Sequence, residues 1–160
     1  MQSIEKIYLY PGQLVVTKDA MEITTLLGSC VSVCFFDPIR CIAGMNHFIL
    51  PVNDNFNSDI EKYGNTSLKF MLDKMLRLGS NQTDIVSKVF GGGELLTYKN
   101  SNFNIGKKNI EAALDFICEN EIRIISKSVG GKKGRKIIFN TLTGIIRHNY
   151  LTASELTTEQ

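Results

Sequence analysis

The sequence lacks any long hydrophobic run, and no apolar stretch reaches the length needed to cross a bilayer. Its first residues, MQSIEKIYLYPG, lack a basic start followed by a long apolar segment and so do not resemble a signal peptide. It also lacks an excess of one charge, since the formal net charge of +2 is too small to indicate nucleic acid or membrane. Four cysteines without an export signal indicate reduced thiols. We therefore expect a cytoplasmic protein with no direct membrane insertion and no nucleic-acid partner.

No internal repeat, low-complexity tract or linker divides the 160 residues. An apolar share of 43% is ordinary for a globular protein, and the length is sufficient for one domain with a sizeable core. We predict a single domain over residues 1–151 and a polar C-terminal tail over residues 152–160. The polar segment 52–65 predicts a loop that forms a rim or lid.

Two segments, at about 66–78 and 106–120, place apolar residues every three or four positions and predict amphipathic helices. Segments rich in β-branched and aromatic residues predict strands. These cover residues 7–10, 14–17, 23–27, 31–36, 41–50, 85–90, 122–126, 136–140 and 145–151. The segments 31–36 and 41–50 are apolar on both faces, so their sheet needs cover on both sides. We predict an α+β fold with β-sandwich-like mixed sheets and helices packed outside.

Cys30 and His47 are candidates for thiol chemistry because a predicted hairpin brings them together. The turn sequence 37–40, Asp-Pro-Ile-Arg, is typical of a type I turn. If its first and last residues pair, Cys30 stands directly opposite His47, with Cβ atoms about 4.5–5.5 Å apart. An imidazole beside a thiol can take its proton. The Gly28-Ser29 step before the cysteine offers N–H groups that an oxyanion needs.

Other interpretations of these residues remain open. Cys30 can be a buried structural cysteine, and His47 can be a core residue with a satisfied ring. The hydroxyl pair Thr24-Thr25 lies just upstream and can orient an imidazole through its second ring nitrogen. The second histidine, His148, is expected at the surface.

A metal site is a rival use of the cysteines, since Cys34, Cys41 and His47 share a face with Cys30 in the predicted hairpin. Cys30 and Cys34 lie four residues apart on one strand, which is about 13 Å at ~3.3 Å per residue. Two ligands of one zinc ion each lie within about 2.3 Å of it. The spacing therefore argues against a metal.

Two glycine-rich segments, 91–93 and 130–136, invite comparison with phosphate-binding loops. Neither fits, because no Ser or Thr follows the lysines and no helix is predicted to begin there. A mobile turn with solvated charge and a docking surface for an acidic partner remain the alternatives for the basic segment.

Six segments of the chain carry a family resemblance. They are LGSCVSVCFFDP, GMNHFILP, KYGNTSLKFML, KVFGGGEL, IGKKNIEAALDF and VGGKKGRKIIFNTLTG, and they extend from about residue 7 to 150. In this order they resemble the CheD family of bacterial chemotaxis. The resemblance implies a protein-glutamine deamidase that acts on the cytoplasmic helical region of methyl-accepting chemotaxis receptors. It also implies a fold similar to the catalytic domain of cytotoxic necrotizing factor toxins, and CheC, a phosphatase of the response regulator CheY, as a partner.

The resemblance further implies a catalytic triad, matched by spacing, of Cys30, His47 and Thr24, with Thr25 as the adjacent alternative. In the mechanism we expect, a thioester forms on the cysteine, and no metal or organic cofactor is needed. Two other functions remain open. The protein can be a non-catalytic chemotaxis adaptor that binds CheC or receptors, or a cysteine-dependent hydrolase with another substrate.

Overall fold

The computed structural model describes residues 3–54, 59–95, 104–152 and 154–155. Residues 55–58 of the predicted loop, and 153 and 156–160 of the predicted tail, lie outside the described residues. The described part forms nine strands and two α-helices. In chain order they are β1 (Glu5–Tyr8), β2 (Leu14–Thr17), β3 (Met21–Leu27), β4 (Val31–Asp37), β5 (Ile42–Asn46), α1 (Gly64–Arg77), β6 (Val86–Gly91), α2 (Ile105–Glu119), β7 (Arg123–Val129), β8 (Arg135–Asn140) and β9 (Ile146–Tyr150).

The strands form two sheets that pack face to face. One sheet has the order β1-β3-β8-β9 and the other β2-β5-β4-β6-β7. The pairs β1–β3 and β6–β7 are parallel, and the remaining pairs are antiparallel. Both helices pack against the five-stranded sheet. The predicted α+β class with mixed sheets and outer helices is confirmed, with the helices on one side of the sandwich.

Two apolar layers form the core, one on each face of β4, and every residue of this strand is buried. Val33 and Phe35 face the helices, where they pack with Met71 of α1. Cys34 and Phe36 face the layer between the two sheets. Each apolar face of β4 is therefore covered by its own layer, as predicted. No helix within the described ranges is both long and apolar enough to span a bilayer.

The β4–β5 turn differs from the prediction. Asp37 pairs with Ile42 rather than with Arg40, so four residues, not two, lie in the turn. The Asp37 carboxylate accepts hydrogen bonds from the N–H groups of Ile39 and Arg40, and Cys41 takes a left-handed backbone with φ of 54°. The predicted register is therefore wrong by two positions. A shift of two leaves each side chain on the same face of the sheet.

Candidate active site

Cys30 and His47 lie at one end of the layer between the sheets. Cys30 directly precedes β4, and His47 directly follows β5. A β-bridge joins Val31 to Phe48, each one residue further along the chain. Cys30 and His47 are thus diagonal neighbours across the antiparallel pair, a separation of about 7–8 Å that an aromatic ring can span. The predicted direct opposition is corrected to this diagonal relation.

Both side chains face the same layer. Cys30 is partly buried against the apolar cluster between the sheets, and Met45, two residues before His47, belongs to that cluster. Within the described residues, no hydrogen bond joins the thiol to the ring. Catalytic hydrogen bonds are often long before substrate binds and tighten in the complex. The structure therefore places the two predicted residues on one face, as diagonal neighbours at the end of the strand pair.

The backbone of His47 is held by the chain before β2. Its N–H donates to the carbonyl of Gln13 at 3.0 Å, and its carbonyl accepts from the N–H of Gly12 at 2.8 Å. The side chain is only 1% exposed. The main chain of His47 is therefore held on both sides, and a ring nitrogen that is buried needs a hydrogen-bond partner within the protein.

Thr25 supplies one of these partners from the opposite sheet. Its Oγ1 lies 2.7 Å from Nδ1 of His47 and 2.7 Å from the carbonyl oxygen of Leu9. A carbonyl can only accept, so the single hydroxyl proton goes to Leu9. The hydroxyl must then accept from Nδ1–H. This assigns the proton to Nδ1 and leaves Nε2 with a free lone pair, as a base requires.

The structure corrects Thr24 as the residue that contacts the imidazole. In β3, Thr25 is fully buried and alternates with Ile23 and Leu27 in the layer between the sheets, whereas Thr24 points to the other face. The alternation of apolar residues at positions 23 and 27 could have revealed this, since strand residues two apart share a face. The spacing match by which Thr24 was assigned ignores the face of the strand.

Burial keeps both reacting groups uncharged. It raises the pKa of the Cys30 thiol to about 11, an effect that the residue's own N–H partly offsets. Burial also lowers the pKa of His47 to about 4. At neutral pH the pair is therefore a protonated thiol and a neutral imidazole.

The glycine run 91–93 holds the turn at Cys30 through two main-chain hydrogen bonds. The N–H of Gly92 donates to the carbonyl of Cys30 at 2.8 Å, and the N–H of Gly93 donates to that of Gly28 at 2.9 Å. Gly91 has a φ of +109°, and a Cβ there would overlap the carbonyl oxygen of Cys30. The run thus has a structural role beside the candidate nucleophile, which the search for a phosphate loop missed.

Two main-chain donors at the turn make no hydrogen bond to another described residue. Among the described residues, the N–H groups of Ser29 and Cys30 donate no backbone hydrogen bond to another residue. Ser29 is exposed, and Cys30 is partly buried. Free N–H groups next to a nucleophile are positioned to stabilise an oxyanion.

The remaining cysteines and the second histidine lie apart from this pair. Cys34 is fully buried, which raises the pKa of its thiol to about 12, and Cys41 lies in the β4–β5 turn. In the part of the chain that the structure describes, no three His, Cys, Asp or Glu side chains form a group that could hold a metal ion. His148 was expected at the surface, but it is half-buried and packs between Phe90 and Tyr150.

The fold and this site define an α+β sandwich protein with a cysteine, a histidine and a threonine gathered between its sheets. The family model described as CheD chemotactic sensory transduction matches residues 49–149. The probable chemoreceptor glutamine deamidase CheD of Trichlorobacter lovleyi is 41% identical over 89% of this chain and 89% of its own length. Its counterpart in Sulfurimonas denitrificans is 36% identical over 94% of this chain and 97% of its own length. This chain belongs to the CheD family.

Solved structures also match this chain. The crystal structure of Bacillus licheniformis hypothetical protein YfiH has a TM-score of 0.49 and 17% identity, over 72% of this chain and 49% of that chain. A likeness of this size says nothing about function.

Proposed function

We propose that this chain deamidates glutamine side chains of methyl-accepting chemotaxis receptors, with Cys30 as nucleophile and His47 as its base. Relatives that carry the name chemoreceptor glutamine deamidase match at 34–41% identity over 87–94% of this chain, which supports the reaction and its substrate. One observation carries the assignment of residues. Thr25 fixes the proton on Nδ1 of His47, and Nε2 is left as an acceptor on the face that Cys30 shares.

The reaction begins with two uncharged groups. As the Cys30 sulfur attacks the side-chain amide carbon of a glutamine, its proton passes to Nε2 of His47. The amide oxygen becomes an oxyanion, and the N–H groups of Ser29 and Cys30 are the donors we assign to it. Proton transfer during attack avoids a free thiolate, which the high pKa of the buried thiol disfavours.

The second half of the cycle uses the same ring. Protonated His47 gives its proton to the departing nitrogen, ammonia leaves, and a thioester to Cys30 remains. His47 then takes a proton from a water molecule that attacks the thioester. The sulfur leaves and regains its proton, and the glutamine has become glutamate. Thr25 holds the ring in one orientation throughout. In the triad we assign, Thr25 therefore takes the place of Thr24.

Several finer points are also proposals. A cytoplasmic location and a single domain over residues 1–151 rest on the sequence pattern. CheC as a partner and likeness to the catalytic domain of cytotoxic necrotizing factor toxins rest on the resemblance alone. The absence of a cofactor requirement is also part of the proposal, because every proton in the cycle is carried by side chains of this chain.

The test compares two cysteine variants. We expect Cys30→Ala to abolish ammonia release from the purified cytoplasmic fragment of a chemoreceptor, while its thermal melt stays cooperative. Cys118→Ala is the matched control, because this thiol is exposed on α2 and away from the site. Mass spectrometry of the receptor fragment identifies the glutamines converted to glutamate. Wild-type activity in Cys30→Ala would remove the nucleophile, and normal chemotaxis in cells carrying that variant would favour the adaptor function.

A further inference from the structure

Asn109 of α2 lies between the two segments that carry the candidate nucleophile and its base. We propose that Asn109 is a positioning residue that sets the distance between Cys30 and His47. This inference rests on the proposed function, since it takes these two residues as the reacting groups. The hydrogen bonds of the Asn109 side chain go to their chain neighbours and not to the two residues themselves, so its effect on the reaction passes through the main chain.

The amide nitrogen of Asn109 joins both segments. Nδ2 donates to the carbonyl oxygen of Ser29 at 3.0 Å and to that of Ile49 at 2.9 Å. Ser29 directly precedes Cys30, and Ile49 follows His47 by two residues. The two protons of one planar group thus bind one carbonyl on each side of the site.

We call these two hydrogen bonds of Asn109 the clamp. The clamp lies where the hydrogen-bonded ladder between the two segments ends. The Val31–Phe48 bridge is the last pairing between these segments within the described residues, and one step beyond it Cys30 faces Ile49. No ladder bond holds the chains together at that step in the described structure. The Asn109 amide joins the two segments instead, at the position of Cys30 along the strand.

The two N–H donors account for an amide at this position. Asn109 is fully buried, and its Nδ2 satisfies a main-chain carbonyl on each of the two segments beside the site. Its Oδ1 finds no hydrogen-bond partner among the described residues. A leucine of nearly the same shape would leave both carbonyls without this donor.

The helix that carries Asn109 is a firm support. Gly106, one turn earlier in α2, packs so closely on the glycine run that a Cβ there would meet the carbonyl of Gly92. Gly92 in turn holds the carbonyl of Cys30. The turn at Cys30 is therefore held from two sides by groups on rigid elements, as accurate placement of reacting atoms requires.

The experiment uses Asn109→Leu, which keeps the shape and removes both donors. We expect kcat for deamidation of a chemoreceptor cytoplasmic fragment to fall ~10–100-fold, as a misplacement near 1 Å does. KM should stay within about twofold, since the exposed surface is unchanged. The control is Thr141→Val. Thr141 is also buried and bridges Asp19 and Met21 at the opposite end of β3, so this change lowers the melting temperature without lowering kcat.

Each result has one meaning. A lowered kcat with near-normal KM in folded Asn109→Leu, beside a normal kcat in Thr141→Val, supports the clamp. A kcat within twofold of wild type overturns it. If neither Asn109→Leu nor Asn109→Ala melts cooperatively, the proposal is also overturned, because the amide then maintains the fold rather than the site. Full activity of Cys30→Ala in the same assay would instead overturn the proposed function, whatever the Asn109 variants do.

Discussion

Thr25→Val is the most direct test of the hydrogen bond that orients the base. Valine matches the shape of threonine, so the packing between the sheets is kept while the hydroxyl is lost. Nδ1 of His47 and the carbonyl of Leu9 each lose a partner at 2.7 Å. Each buried group left without a partner costs about 1–3 kcal/mol. For two such groups we therefore expect a loss of stability of about 2–6 kcal/mol, measured by urea unfolding.

The effect on rate follows from the tautomer. Without the hydroxyl, the ring no longer favours the proton on Nδ1, and the base is in its reactive form less often. A lost preference of about 1–3 kcal/mol lowers the rate about 5- to 150-fold, since 1.36 kcal/mol is tenfold. Ammonia release from a receptor fragment measures this. Thr25→Ser should keep most of the activity.

Thr24→Val is the matched control for this prediction, because it makes the same change one residue away on the other face of β3. We expect its rate to stay within about twofold of wild type, since surface substitutions away from such bonds have small effects. A normal rate in Thr25→Val would refute the assignment of the tautomer. An equal loss in Thr24→Val would refute the assignment of the orienting residue.

Two further predictions concern stability. The pKa of His47 is about 4 in the folded chain against an ordinary value of 6.5, so the unfolded chain binds more protons between these values. The free energy of unfolding should therefore fall by about 3 kcal/mol as the pH drops through that window, at 1.36 kcal/mol per pH unit. His47→Gln should not show this fall when urea unfolding is measured across the same pH range. A pH profile that is the same in the variant and the wild type would contradict the assignment to His47. Gly91→Ala should cost more than about 2 kcal/mol, because backbone strain adds to overlap with Cys30. Gly131→Ala is the control, because this glycine has a φ of +76° in open space and its replacement should cost about 1–2 kcal/mol in backbone strain alone. Equal melting temperatures for the two variants would contradict the supporting role of Gly91 at the Cys30 turn.

Much of the fold could be predicted from local patterns. The apolar stripe of the first predicted helix lies on α1, where Leu68, Met71 and Met75 are fully buried. The strand predicted at 31–36 from its β-branched and aromatic residues is β4, and its apolar residues on both faces indicate two covering layers. Such patterns depend on residues within one turn or one strand, so the sequence displays them directly.

The register of the β4–β5 pair could not be predicted in the same way. The pattern Asp-Pro suggests a two-residue turn, but the Asp37 carboxylate binds two N–H groups and Cys41 adopts a left-handed backbone. Together they add two residues to the turn. The error kept Cys30 and His47 on one face, because strand side chains alternate with a period of two.

Contacts between distant parts of the chain could not be predicted from the sequence. The hydrogen bond from Asn109 to Ser29 joins residues 80 positions apart, and that from His47 to Thr25 joins the segment after β5 to β3, 22 positions apart. A single sequence carries no local signal for either. Thr25 could have been separated from Thr24 by the face of its strand, whereas nothing near Asn109 in the sequence points to the Cys30 turn.

The uncharged resting pair has a consequence for the lifetime of the protein. Peroxides oxidise the anionic form of cysteine to sulfenic acid, and the neutral form reacts poorly. With a pKa of about 11, the sulfur of Cys30 holds its proton in the free protein. We therefore expect Cys30 to be oxidised slowly by peroxide in the free protein, and in the proposed reaction its sulfur becomes nucleophilic only as its proton moves to His47.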